Sequence, residues 1–195
     1  MLPFVLLLGL VLFLGVHSLR IVAEPWRTRV LAQRGGEKRW KLGYTLMSLA
    51  GFALIVWGYG LARQQPMPLW EPPTFMRHVA ALLMLPSFVL LAAAYVPGNR
   101  LKARLHHPMV ISVKVWAFAH LLSNGTLADV LLFGGFLLWA VFSLRAARRR
   151  DRSQRIRYGG DSAAATLATL VLGLGAWAGF AFWAHAWLIG VRPLG

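Results

Sequence analysis

Six long apolar stretches divide this chain, and they limit its fold more than any other feature. They cover residues 2–19, 42–62, 75–96, 109–123, 127–144 and 163–189. A helix needs about 20 mainly apolar residues to cross a hydrocarbon layer ~30 Å thick. Five stretches reach that length within a few residues. The fourth is shorter and carries Lys114, so it either begins near His106 or lies tilted. No ~10-residue segments of alternating polarity occur, which argues against a transmembrane β-barrel. The expected fold is all-α: a polytopic transmembrane bundle of about six helices, with residues 1–195 forming a single integral membrane domain. The first stretch has neither a positive leading region nor an Ala-x-Ala-like site, and it reads as a retained helix rather than a cleaved signal.

Charge supplies the orientation. The chain has 21 Lys and Arg against 6 Asp and Glu, a net of +15. In a soluble protein that excess would suggest nucleic acid, but 58% of the residues are hydrophobic and the basic ones are segregated. Arg20, Arg27, Arg29, Arg34, Lys38, Arg39 and Lys41 lie between the first two stretches. Arg100, Lys102 and Arg104 lie between the third and fourth. Arg145, Arg148, Arg149, Arg150, Arg152, Arg155 and Arg157 lie between the fifth and sixth. The opposite side holds Arg63 and Arg192 alone, with Arg77 and Lys114 at or inside helices. Basic loops stay cytoplasmic, so the expected setting is the cell inner membrane, crossed several times, with both termini periplasmic. The arginine run then acts as a topology determinant in contact with anionic lipid, and no nucleic acid is needed to explain it.

The apolar content excludes a disordered chain. The lack of Cys excludes a disulfide scaffold. There is no Gly-x-Ser-x-Gly and no phosphate loop. The only acids are Glu24, Glu37, Glu71, Asp129, Asp151 and Asp161, and Asp129 alone lies close to a span. Paired-carboxylate catalysis and carboxylate-rich metal sites are therefore unexpected. Gly175-x-x-x-Gly179 offers the last helix a small-residue packing face.

Six histidines remain: His17, His78, His106, His107, His120 and His185. Ionisable groups inside membrane spans are costly and mark functional sites. His106 fits a headgroup-zone residue, and His78 stands near a helix start. His17 and His120 lie deeper among apolar neighbours, and Trp116, one turn before His120, can line the same face. Imidazoles projecting between apolar helices, with no Cys or carboxylate partners, suit a haem. Zinc held by two or three histidines is the competing metal reading.

The combination of His17-Ser18-Leu19-Arg20, Gly36-Glu37-Lys38-Arg39-Trp40, His107-Pro108-Met109, Trp116-Ala117-Phe118-Ala119-His120 with Leu121-Leu122-Ser123-Asn124-Gly125, and His185-Ala186-Trp187-Leu188-Ile189-Gly190-Val191-Arg192-Pro193 resembles the NnrU family across nearly the whole chain. The resemblance implies a membrane protein associated with denitrification and nitric oxide metabolism. The family is in turn similar to zeta-carotene isomerase, a membrane haem b enzyme. The isomerase's axial histidines lie in a His-Ser motif and at the end of a Trp-x-x-x-His motif. The matching positions here are His17 and His120, which the resemblance marks as the haem b, and hence metal-binding, residues. Where the isomerase has a Cys three residues before the second His, this chain has Ala117. Depth adds His107 as a further cofactor candidate. With the N-terminus outside, His17 falls roughly 8 Å to the cytoplasmic side of the midplane and His120 roughly 6 Å to the outer side at ~1.5 Å per residue, whereas His17 and His107 match.

Three functions are therefore in play. The first is a haem b protein with redox or isomerase-like activity, whose partners are the bilayer and a hydrophobic isoprenoid or a small gas. The second is a membrane methyltransferase of the isoprenylcysteine type, since His107-Pro108-Met109 also resembles that family's motif. The third is a non-catalytic accessory protein of a respiratory complex.

Overall fold

The computed structural model describes residues 2–194. Among them the backbone forms eight helices: α1 (Leu2–Val22), α2 (Glu24–Ala32), α3 (Gly36–Gln64), α4 (Met76–Tyr95), α5 (Arg100–Leu105), α6 (Pro108–Ser123), α7 (Leu127–Gln154) and α8 (Ala163–Ile189). Helices α1, α3, α4, α7 and α8 are long and apolar enough to cross a membrane. Helix α6 has 16 residues, about 24 Å at ~1.5 Å each, which falls short of the ~30 Å layer. The fold is an all-α membrane helix architecture. Large apolar side chains stay uncovered along the spans, with Leu82 67% and Trp183 73% exposed. Such surfaces are stable when hydrocarbon, not water, surrounds them.

Two spans reach well past their apolar stretches. Helix α3 begins at Gly36 and α7 runs to Gln154, so much of the basic loop sequence is helical. Hydropathy marks where a helix enters hydrocarbon, not where it ends, and Arg, Lys and Glu are good helix formers. Local pairs assist: Lys41 Nζ lies 2.6 Å from Glu37 and Arg27 3.2 Å from Glu24, each one turn apart. Arginines at the end of α7 also face the negative end of the helix dipole.

The chain divides into two compact units, the first comprising Met1–Trp70 and Thr126–Ser143, the second Glu71–Gly125 and Leu144–Gly195. In the first unit, α1 and α3 pack antiparallel through glycines. A Cβ on Gly9 would sit 2.6 Å from the Ile55 nitrogen, and one on Gly51 2.7 Å from the Phe13 nitrogen; Gly58 abuts Leu6 in the same way. Only a missing side chain lets the backbones approach so closely. The first part of α7 runs parallel to α1, pairing Phe136 with Phe13 at 5.8 Å and Trp139 with His17 at 6.2 Å between ring centroids. Its start is pinned by a capping box between Thr126 and Asp129. Asp129 is 4% exposed, and its second oxygen accepts the Tyr59 hydroxyl at 2.6 Å. The one acid close to a span is thus a satisfied structural group.

In the second unit, α4 packs antiparallel to α6 and to α8. Ser87 and Ser112, both buried, form a reciprocal clasp. Ser87 Oγ donates to the Ser112 carbonyl at 3.0 Å, and Ser112 Oγ to the Ser87 carbonyl at 2.8 Å. On α8, Gly173 lies against Val89 and the Trp177 indole donates to the Ala81 carbonyl at 3.0 Å. The expected packing motif, Gly175-x-x-x-Gly179, is not the contact: among the described residues nothing lies within 4 Å of a Cβ at either glycine. The motif's spacing suits a close approach, but Gly173 lies on the side of the helix that meets α4.

Candidate functional site

Helix α1 is apolar except near its end, where His17 is half-buried in an aromatic cluster. Phe13 stacks on its ring at 4.2 Å, Tyr44 of α3 lies at 5.1 Å, and Trp139 of α7 stands edge-on at 6.2 Å. His17 Nδ1 lies 2.6 Å from the Phe13 carbonyl, one turn back. A carbonyl oxygen only accepts, so Nδ1 must carry the proton. In the neutral ring Nε2 then holds a lone pair, which is the form that ligates a metal. Among the described residues Nε2 has no hydrogen bond.

Two polar atoms near this cluster have no partner. Trp139 Nε1 and Ser48 Oγ are both shut off from solvent and make no hydrogen bond among the described residues. Ser48 is on α3. The antiparallel register that sets Gly58 against Leu6 and Gly51 against Phe13 carries Ser48 to the level of His17. A buried donor without an acceptor costs about 1–3 kcal/mol, so the first unit holds three groups suited to a guest: one imidazole lone pair and two unspent hydrogen-bonding atoms. A five-residue π segment, Val130–Gly134, precedes Phe136 and Trp139 on α7. One extra residue per turn rotates the following face by about 100°, which changes which aromatics face α1.

His120, in the second unit, repeats the local pattern. Its Nδ1 lies 2.9 Å from the Trp116 carbonyl, so it too carries its proton on Nδ1, with the Trp116 ring 5.3 Å away. Ala117, one turn before it on the helix, is fully buried. His107, also in the second unit, stands at the start of α6 without a side-chain capping bond, and its Nε2 donates to Asp151 at 2.8 Å. A carboxylate only accepts, so that nitrogen carries a proton and is engaged. His106 stacks on Tyr158 at 4.5 Å. His78 is exposed at the start of α4, and His185 Nδ1 reaches the Val191 carbonyl at 2.7 Å.

The sequence model of the NnrU protein family matches residues 5–193. The chain belongs to the NnrU family. No curated protein and no solved structure matches it. In this NnrU chain, sequence reasoning found His17, His107 and His120, and Trp116 beside His120, but missed the partners of His17 and His107. Phe13 was legible, being one turn before His17. Asp151 was also legible, as the lone acid inside the arginine run. Tyr44, Ser48 and Trp139 come from other helices, and no local signal pointed to them.

Proposed function

We propose that this NnrU protein binds haem b within the membrane, where His17 would hold it, and serves redox chemistry linked to denitrification and nitric oxide metabolism. One observation carries the reading: the Phe13 carbonyl holds the His17 proton on Nδ1, which leaves Nε2 as a lone pair within an aromatic cluster. The donor set suits a macrocycle. Among the described residues no three His, Asp or Glu side chains converge as a protein-only metal site requires, whereas a porphyrin brings four nitrogens and needs only one or two imidazoles.

Haem b would supply a one-electron couple and affinity for a small gas. The chain's own residues do the rest. Phe13 and Tyr44 hold the imidazole plane and exclude water. Trp139 Nε1 and Ser48 Oγ provide hydrogen bonds to polar edges of a guest. His120 has the same tautomer in its own unit and is a separate ligand candidate, supported by the family resemblance. The sided basic residues support an inner-membrane setting with both termini periplasmic.

The test is an absorption spectrum of the detergent-purified chain, expressed with ample haem and reduced with dithionite. A Soret band that His17→Ala abolishes or shifts is the expected result; His120→Ala is scored separately. A protein-only spectrum for the wild type overturns the haem reading. An unchanged spectrum for His17→Ala overturns the role of His17.

A further inference from the structure

We propose that the arginine-lined cleft at the end of α7 binds the phosphate of an anionic phospholipid headgroup. The cleft, of about 570 Å³, is lined by Arg104, Arg148, Arg152, Arg155 and Arg157, with His106 and Ile156 among its other walls. Every one of these arginines is exposed, and among the described residues none forms an ion pair. Other cations nearby in sequence do: Arg100 pairs with Asp161 at 2.8 Å. Five guanidiniums therefore line one cleft whose single acid, Asp151, pairs with His107 at 2.8 Å and with none of them, and a guanidinium fork matches a phosphate bidentately.

The cleft is held open by its backbone. Only His106 (φ 66°) and Arg155 (φ 49°) have positive φ among the described non-glycine residues, and both line it. Such conformations persist where surrounding structure enforces them, and they cluster at ligand sites. Here the enforcing contacts centre on Asp151, whose carboxylate accepts His107 Nε2 at 2.8 Å and the Tyr158 hydroxyl at 3.2 Å. The Asp151 carbonyl accepts the Ile156 N–H at 3.0 Å, closing the turn at Arg155. The one acid in the wall is thus engaged by inward donors.

The position favours a lipid over a soluble phosphate. The apolar part of α7 ends at residue 144, and Arg148 to Arg155 follow within about three turns on the same chain. Headgroups of anionic lipids occupy that boundary, and they attract juxtamembrane Arg and Lys.

The test uses the full chain in detergent, with native mass spectrometry of bound phosphatidylglycerol against phosphatidylcholine. The wild type should prefer phosphatidylglycerol. The triple variant Arg104→Gln, Arg152→Gln, Arg155→Gln should lose that preference by about fivefold per arginine. A matched triple in the first basic segment, Arg29→Gln, Arg34→Gln, Arg39→Gln, should keep it. Equal loss in both triples would mean diffuse charge and overturns the site. So does equal retention of the two lipids, or displacement of the lipid by equimolar inorganic phosphate. If the glutamine triple does not fold, lysines at the same three positions keep the charge but lose the fork. A partial loss then supports the site and no loss overturns it. No readout depends on haem.

Discussion

Gly51→Ala is the most direct test of how the first unit is held together. The added Cβ would lie 2.7 Å from the Phe13 nitrogen and 3.0 Å from its Cα. Both are backbone atoms of α1, so no side-chain rotation can make room. Ordinary carbon contact lies at ≈ 3.5–4.0 Å, so the helices must part by about 1 Å at this point. Overpacking of this kind costs typically 1–3 kcal/mol, and backbone against backbone belongs in the upper half of that range. Replacing Gly by Ala within a helix returns up to about 1 kcal/mol. The expected net loss is about 1–2 kcal/mol. A gap of 0.5–1 Å forfeits a quarter to a half of each dispersion contact it opens, so the Tyr44 contact with His17, further along the same helix pair, should loosen as well. The assay is reversible unfolding in mixed micelles, titrating a denaturing detergent and following helicity. Gly175→Ala is the control, because nothing lies within 4 Å of its Cβ; it should be neutral or slightly stabilising. A Gly51→Ala protein as stable as the wild type, or a Gly175→Ala protein equally weakened, would refute the packing account.

The Ser87–Ser112 clasp predicts nearly additive losses in the same assay. Each serine changed to alanine should cost about 0.6–2 kcal/mol, because it removes its own hydroxyl's bond to the opposite carbonyl and leaves the other bond in place. The double variant should fall short of the sum only by the shared Oγ–Oγ contact at 3.1 Å; a double loss no larger than either single loss would refute the two-bond account. Tyr59→Phe should cost about 1–3 kcal/mol by leaving the buried Asp129 oxygen without its donor; an unchanged unfolding midpoint would show that water replaces the phenol.

Much of this protein was legible in one dimension. Apolar runs of membrane length locate the spans, since desolvated backbone must be helical in hydrocarbon and side chains there must be apolar. The expected limits of 163–189 coincide with α8, and 75–96 differs from α4 by one residue at each end. The sided arginines give an expected orientation. The intramembrane histidines stand out because an imidazole in an apolar run is costly, and the ordered motifs point to the NnrU family that the family model confirms.

What tertiary structure alone decided is which faces meet. In lipid the tails are as apolar as Leu, so burial against protein leaves no hydropathy signal. That is why Gly9, Gly51 and Gly58, scattered in two helices, form the tight contact while the recognisable Gly175 motif does not. The same reason hides the neighbours of His17: Tyr44 and Trp139 sit in other helices at no fixed sequence spacing, and the π segment in α7 turns its aromatic face without leaving any mark in composition. His107 and Asp151 are paired only because α6 begins where α7 ends its arginine-rich turns. Sequence periodicity reports one helix at a time, and a pocket is made by several.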